Sequence, residues 1–181
     1  MKRWFLLCLT IALLVGHIAT SHAITYMQIP NIQGEVTEGN HAGWIEVQAL
    51  SWSHNEAPPS SPVRMQFNRV IFTKTVDSVS AALALSAADG HPMKDVKVEI
   101  LRGAPGGGGL FVAFRMKLTN ARLTSYAASA QPGGAPPMES LALAFDTITW
   151  VNFKISASGQ SSPGTAGCWD VVGNKSCAPA F

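Results

Sequence analysis

The 181-residue sequence predicts a mainly β protein: a compact β-barrel of two packed sheets with one short α-helix. Three observations predict it. Apolar and polar residues alternate with a period of two over most of the chain, the pattern of strands with one dry and one wet face. A single stretch, Ser78 to Ala88, departs to helical spacing. Gly-, Pro- and Ser-rich segments separate the alternating runs at short intervals, as barrels and sandwiches require.

The elements follow in order. In Trp44 to Trp52, Ile45, Val47 and Ala49 share one face, then Leu50 and Trp52 continue on the opposite phase. That switch predicts a bulge near Ala49-Leu50. Val63 to Lys74 reads as a strand region, with Val63, Met65 and Phe67 on one face and Val70 and Phe72 on the other. Asp77 or Ser78 can cap the helix that follows, and Gly90 with Pro92 can end it. Val79, Ala82, Leu83 and Ser86 lie along one side of that helix. Three further runs alternate: Val96 to Ile100, Leu110 to Leu118, and Leu141 through Phe153. Asn55–Pro62, Gly103–Gly109, Gln131–Pro137 and Ser156–Gly167 read as loops, none long enough to link domains. No internal repeat is visible.

Composition narrows the function. With 47% hydrophobic and 13% charged residues, disorder, collagen and coiled coil are excluded. The formal charge of +2 comes from Lys2 and Arg3, the basic start of a leader. An apolar run from Trp4 to Val15 and the small residues Ser21 and Ala23 complete the layout of a Sec signal peptide cut after Ala23. The run is too short to span a bilayer, so no stable membrane anchor is expected. Without the two leader cations the remaining Lys and Arg balance the 11 acidic residues. A neutral chain lacks the basic stripe of a nucleic-acid binder. Residues 24–181 are expected to form one exported domain, periplasmic or secreted.

Residues for catalysis are missing from the usual patterns. There is no G-x-S-x-G, H-E-x-x-H or C-x-x-C. Gly106 to Gly109 precede a strand and no Lys-Ser/Thr follows, so they read as a hairpin loop and not a phosphate cradle. His41, His54 and His91 sit in or beside separate loops at spacings unlike a ligand pair. His91-Pro92-Met93 offers nitrogen and sulfur, yet reads as a loop residue beside a core methionine. Glu35 and Glu38 read as loop solvation. No enzyme, metal or cofactor is expected.

Cys168 and Cys177 are the cysteines left after the leader, and an even pair in an exported chain reads as a disulfide. If Val172-Gly173 centre a two-residue turn, Asp170 faces Lys175, Trp169 faces Ser176 and Cys168 faces Cys177. The pair then falls on a non-hydrogen-bonded position with Cα atoms about 4.5 Å apart. A single continuous strand would hold them roughly 30 Å apart. The tight loop suits a structural staple over a redox-active pair, so a Cys-clipped C-terminal hairpin is expected at about 168–177.

Several segments resemble the haemolysin-coregulated protein (Hcp) family, the tube proteins of type VI secretion. Ile32-Gln33-Gly34-Glu35 with His41 resembles the family's opening, and Ile45 through Trp52 its long strand. Phe72-Thr73-Lys74 with Asp77, Ser80 and Leu83 is similar to its lead-in to the single helix. Leu118-Thr119-Asn120-Ala121, Glu139 to Phe145, and Trp169-Asp170 with Asn174-Lys175 resemble later strands. The resemblance runs from Tyr26 to Lys175. It implies a non-enzymatic protein that self-assembles into six-membered rings, which stack into a tube and carry effectors. It also implies that Ile32–Gly43, with Gly34, Glu35 and His41, is a protruding ring-stacking loop. The leader and the cysteine pair depart from the family, whose tubes are assembled in the cytoplasm. They point to an alternative: an exported Hcp-fold binding or accessory protein acting independently of the tube.

Overall fold

The alternating runs form strands because each can turn one apolar face inward and complete its backbone hydrogen bonds laterally. The computed structural model describes residues 23–62, 64–104, 109–130, 132–156, 158 and 160–181. The expected leader up to residue 22, Val63 and residues 105–108 of the expected hairpin loop lie outside the described residues. In chain order the strands are β1 (Ile24–Gln28), β2 (Ile45–Val47), β3 (Ala49–Ser51), β4 (His54–Glu56), β5 (Met65–Phe67) and β6 (Val70–Thr75). After the helix α1 (Ser80–Asp89) come β7 (Val96–Gly103), β8 (Leu110–Thr119), β9 (Arg122–Ser129) and β10 (Met138–Ala144). The last are β11 (Thr147–Ile155), β12 (Ser161–Asp170) and β13 (Lys175–Ser176).

Two main sheets result, as expected. One has seven strands in the order β13-β12-β11-β8-β7-β1-β2, the other four in the order β3-β6-β10-β9, and β4 and β5 pair as a separate hairpin. All the pairings are antiparallel. The inner faces meet in one core, with Met27, Ile45, Val98, Met116 and Leu118 from the larger sheet against Phe72, Leu123, Leu141 and Leu143 from the smaller. Leu83 and Val79, at and just before the start of α1, join that core, and α1 packs on β9.

The chain passes between the sheets through α1, from β6 to β7, and at three tight corners. Gln48 separates β2 from β3, and its amide donates to the Thr73 carbonyl of β6 at 2.9 Å. The phase switch expected at Ala49-Leu50 is therefore centred one residue earlier, and it moves the chain from one sheet to the other. Asn120 carries β8 into β9 with a left-handed φ of 52°. Asp146 carries β10 into β11; its carboxylate accepts from Asn120 Nδ2 at 3.2 Å and Arg122 at 3.4 Å.

Other expectations shift in detail. The helix begins at Ser80, because Asp77 caps the preceding turn: its Oδ1 accepts from the Val79 amide at 3.1 Å. Gly90 ends the helix in the left-handed conformation at φ 65°, as expected. Ser161 to Gly167, expected as loop, belongs to β12. A Cβ at Gly164 would press on the Asn152 carbonyl and one at Gly167 on the Trp150 ring, so glycine is what lets β12 lie against β11.

One polar cluster lies inside the barrel. Lys74 and Glu139 are each 1% exposed. The Lys74 ammonium donates to Glu139 Oε1 at 2.8 Å and to the Thr75 carbonyl at 2.7 Å, and pairs with Asp77 Oδ1 at 2.6 Å. The Tyr126 hydroxyl donates to the other Glu139 oxygen at 2.9 Å. Removing one partner strands a buried charge, whereas removing both does not. Glu139→Ala is expected to cost about 3–5 kcal/mol in urea unfolding. The double variant Lys74→Met/Glu139→Leu is expected to recover most of that loss; a double variant as unstable as the single would refute the account.

Candidate functional site

Three features stand out at the surface: the loop between β1 and β2, the outer face of the four-stranded sheet, and the C-terminal hairpin.

The loop folds back on the barrel. The Gly34 amide donates to the Gly43 carbonyl at 2.8 Å, Gly43 to Val36 at 2.7 Å, and Val36 to Trp44 at 3.1 Å. Gly34 sits so close to Trp44 that a Cβ would overlap its carbonyl group. Val36 packs on a small apolar cluster of Tyr26, Trp44 and Leu101, separate from the main core. His41 is buried: its Nε2 lies 2.8 Å from Glu99 Oε2, while Arg115 Nε donates to the other Glu99 oxygen at 2.6 Å. The imidazole also packs between Tyr26 and Trp44, with ring centroids 4.9 and 4.8 Å away.

Of the three residues expected in a ring-stacking loop, Gly34 and His41 therefore anchor the loop to the barrel. Glu35 is exposed and accepts from the Ser78 amide at 3.1 Å, tying the loop to the turn before α1. These hydrogen bonds from Ser78 hold its carboxyl below the usual glutamate range. The outward tip is Thr37 to Asn40, of which sequence reasoning named Glu38 alone, as loop solvation. Its signal was the polar run Thr37-Glu38-Gly39-Asn40 between apolar Val36 and the buried His41.

The four-stranded sheet turns a bare face outward. Ala49, Thr73, Ser140 and Ala127 lie side by side across its four strands. In the next row stand Ser51, Ile71, Ala142 and Ser125. None carries a charge, and all but Ile71, which is 45% exposed, are small. The larger sheet differs: on its outer side Lys97 stands opposite Lys117, and Glu99 opposite Arg115.

At the C-terminus Cys168 and Cys177 face each other, Cα to Cα 5.0 Å, with their sulfurs at bonding distance. Trp169 pairs with Ser176 and Asp170 with Lys175, the expected register. The turn, however, spans four residues, 171–174, and the Cys177 amide donates to the Cys168 carbonyl at 3.2 Å. The cysteines thus occupy a hydrogen-bonded position and not the expected non-hydrogen-bonded one, because the Val171 amide is drawn away to the Asp146 carbonyl at 2.8 Å.

The histidines are dispersed. His54 stacks on Phe67 at 4.9 Å, and His91 is exposed after the helix. Met93 packs against the core as expected. Among the described residues no three His, Cys, Asp or Glu side chains are grouped to hold a metal ion. No described helix is long and apolar enough to cross a membrane.

A two-sheet barrel with a single helix is the architecture this chain shares with solved type VI secretion proteins. Residues 26–151 match the family described as "Type VI secretion system effector, Hcp", and the chain belongs to that family. It is similar to a solved type six secretion system protein at 25% identity and TM-score 0.75, covering 86% of this chain and all of that one. Hcp1 from Salmonella typhimurium superposes with TM-score 0.67 at 19% identity, covering 86% of this chain and 99% of that chain. A type VI secretion system effector from Yersinia pestis does so with TM-score 0.63 at 18% identity, covering 81% and 99%. None of the curated proteins compared matches the chain.

Both tyrosines of the chain bond to carboxylates, Tyr26 to Glu38 at 3.1 Å and Tyr126 to Glu139. Burial, and then the neighbouring carboxylate, raises each phenol above its ordinary value of 10.0. A folded-state pKa raised in this way adds stability that is present below pH about 10 and is lost as pH rises through the folded value. Phenolate absorbance is expected to show both midpoints above that of free tyrosine. A midpoint at or below the free value for either would show that its hydroxyl does not donate to the carboxylate.

Proposed function

We propose that this chain is a non-enzymatic structural protein of type VI secretion that assembles with copies of itself into six-membered rings. The observation that carries the reading is the uncharged centre of the outer face of the four-stranded sheet. Charged residues are depleted where protein surfaces meet, and a monomer gains nothing from leaving such a face bare. β3 and β9 flank this face as the edge strands of the sheet, so a second copy can seat on it and meet a strand edge at either side. The loop of Gly34, Glu35 and His41 suits ring stacking because its anchors hold the tip Thr37–Asn40 in a fixed position. Effectors or other type VI components are the further partners; nucleic acid and a membrane anchor are not.

The chain is exported through the leader in residues 1–23. Cleavage after Ala23 leaves β1 intact from Ile24, and residues 24–181 act as one domain. In an oxidising compartment Cys168 and Cys177 form a disulfide that staples the C-terminal hairpin. The leader and this pair also favour a second reading, an exported Hcp-fold accessory protein working apart from the tube.

Native mass spectrometry of residues 24–181 is expected to show a hexamer. Ser140→Arg, at the centre of the bare face, is expected to give monomers with unchanged circular dichroism. Rings that persist in this variant would remove the face from the interface, and a wild type that is strictly monomeric at high concentration would end the ring reading. Export that survives loss of the type VI machinery and stops on deletion of residues 1–23 would favour the accessory role. Export that stops with the machinery would reject it.

A further inference from the structure

The C-terminal hairpin grips a second hairpin that lies far away in sequence. β4 and β5 pair only with each other among the described strands, forming a small sheet of their own. Asn174 holds this sheet at Met65: its Oδ1 accepts from the Met65 amide and its Nδ2 donates to the Met65 carbonyl, both at 3.3 Å. A side-chain amide bonding both backbone groups of one residue imitates a strand partner. Trp169 stacks on Phe67 of β5 with centroids 6.1 Å apart, and Phe67 stacks on His54 of β4. Asn174 and Trp169 both lie inside the loop closed by Cys168 and Cys177.

The grip depends on the turn. Asn174 has a left-handed φ of 47°, and the turn is shaped by the Gly173 amide donating to Asp170 Oδ1 at 2.8 Å. β13 has two residues and lies at the sheet edge, so few backbone bonds hold it in register. The grip also has a cost. The buried Trp169 indole N–H finds no partner among the described residues, so the packed position of this ring is held at the expense of one hydrogen bond.

We propose that the Cys168–Cys177 bond is a redox-dependent latch on the β4–β5 hairpin. Oxidised, it locks the β12–β13 register and keeps Asn174 aimed at Met65. Reduced, β13 frays, Asn174 releases Met65 and the small sheet comes loose. Exchange with a dithiol, which is itself oxidised to a disulfide, opens the latch; exchange with a disulfide of a protein or a small molecule closes it. Two cysteine S–H bonds and the partner's S–S bond break. One S–S bond forms here, and the partner's sulfurs take up two electrons and two protons. Phe67 also walls a groove with Trp52, Arg69 and Ile71 at the margin of the bare face, so the latch sets the shape of that margin. The latch rests on the reading that the pair oxidises, and not on ring assembly.

Hydrogen exchange with mass spectrometry on the purified protein, oxidised and after dithiothreitol, tests it. Peptides covering 54–67 are expected to exchange about tenfold faster when reduced, with α1 and β7 unchanged. Asn174→Gly keeps the left-handed backbone and removes the amide, so it is expected to loosen 54–67 while the bond stays intact. Acceleration confined to 168–177 would overturn the latch and leave a tail clip. Uniform acceleration through α1 and β7 would overturn it too, making the bond a support of the whole fold. An intact mass with two free thiols after treatment with oxidised glutathione would overturn the bond itself, and the latch with it, while leaving the ring to be judged by Ser140→Arg.

Discussion

The Lys74 ammonium is the constraint on which the smaller sheet depends. A charge taken out of water must be matched by partners in good geometry, or the group does not stay buried. Here the partners come from separate elements: Glu139 from β10, Asp77 from the turn before α1, and, one step removed, Tyr126 from β9. The cluster thus ties three of the four strands and the helix lead-in to one point. It also fixes register. Sliding β6 by one residue would carry Lys74 to the outer face and bring Thr73 or Thr75 inside, leaving Glu139 without its cation. The bare outer face follows from the same condition, since with Lys74 and Glu139 held inward the outward positions on β6 and β10 fall to Ile71, Thr73, Ser140 and Ala142.

The two sheets solve the burial of charge differently. In the smaller sheet Lys74 and Glu139 go inside, and Arg122 stays outside at the corner with Asp146. In the larger one Glu99 and Arg115 stay on the outer side, and the β1–β2 loop closes over Glu99 through His41. Arg115 remains partly open and lies 5.4 Å over the Phe153 ring. One protein thereby shows two unlike exteriors, a charged one partly covered by its own loop and one with an uncharged centre. In the proposed ring, that asymmetry would let each copy meet its neighbours in a single orientation.

Much of this was legible in the alternation. Ile45 and Val47, Val96 and Val98, and Leu141 and Leu143 face inward as the period of two requires, and the turn at Gly90 ends the helix where glycine permits it. The register of Cys168 with Cys177 followed from counting outward from a turn, although the turn holds four residues where two were expected. Other features needed three dimensions. Trp44 to Trp52 reads as one bulged strand, because alternation reports faces and not partners; only the bond from Gln48 to Thr73 sends its second half to another sheet. Ser161 to Gly167 has the composition of a loop, yet β11 supplies a ladder and Gly164 and Gly167 allow the close approach. Lys74 and Glu139 shared the parity of Val70 and Phe72 and of Leu141 and Leu143, a signal in plain view that charge alone obscured. His41 carried no such signal, since its partner Glu99 lies on a distant strand.

The pairing of β1 with β7 has a consequence in time. Tyr26 meets Glu99 across the helix, four intervening strands of other sheets and β2, so the larger sheet cannot close until a long stretch of chain has been made and gathered. Loop closure of this kind raises the barrier to folding more than it alters final stability. A polypeptide threaded through a membrane channel must stay unfolded until it has passed. On the proposed export through the leader, a topology that joins its first strand to its seventh would delay collapse for as long as the chain is in transit.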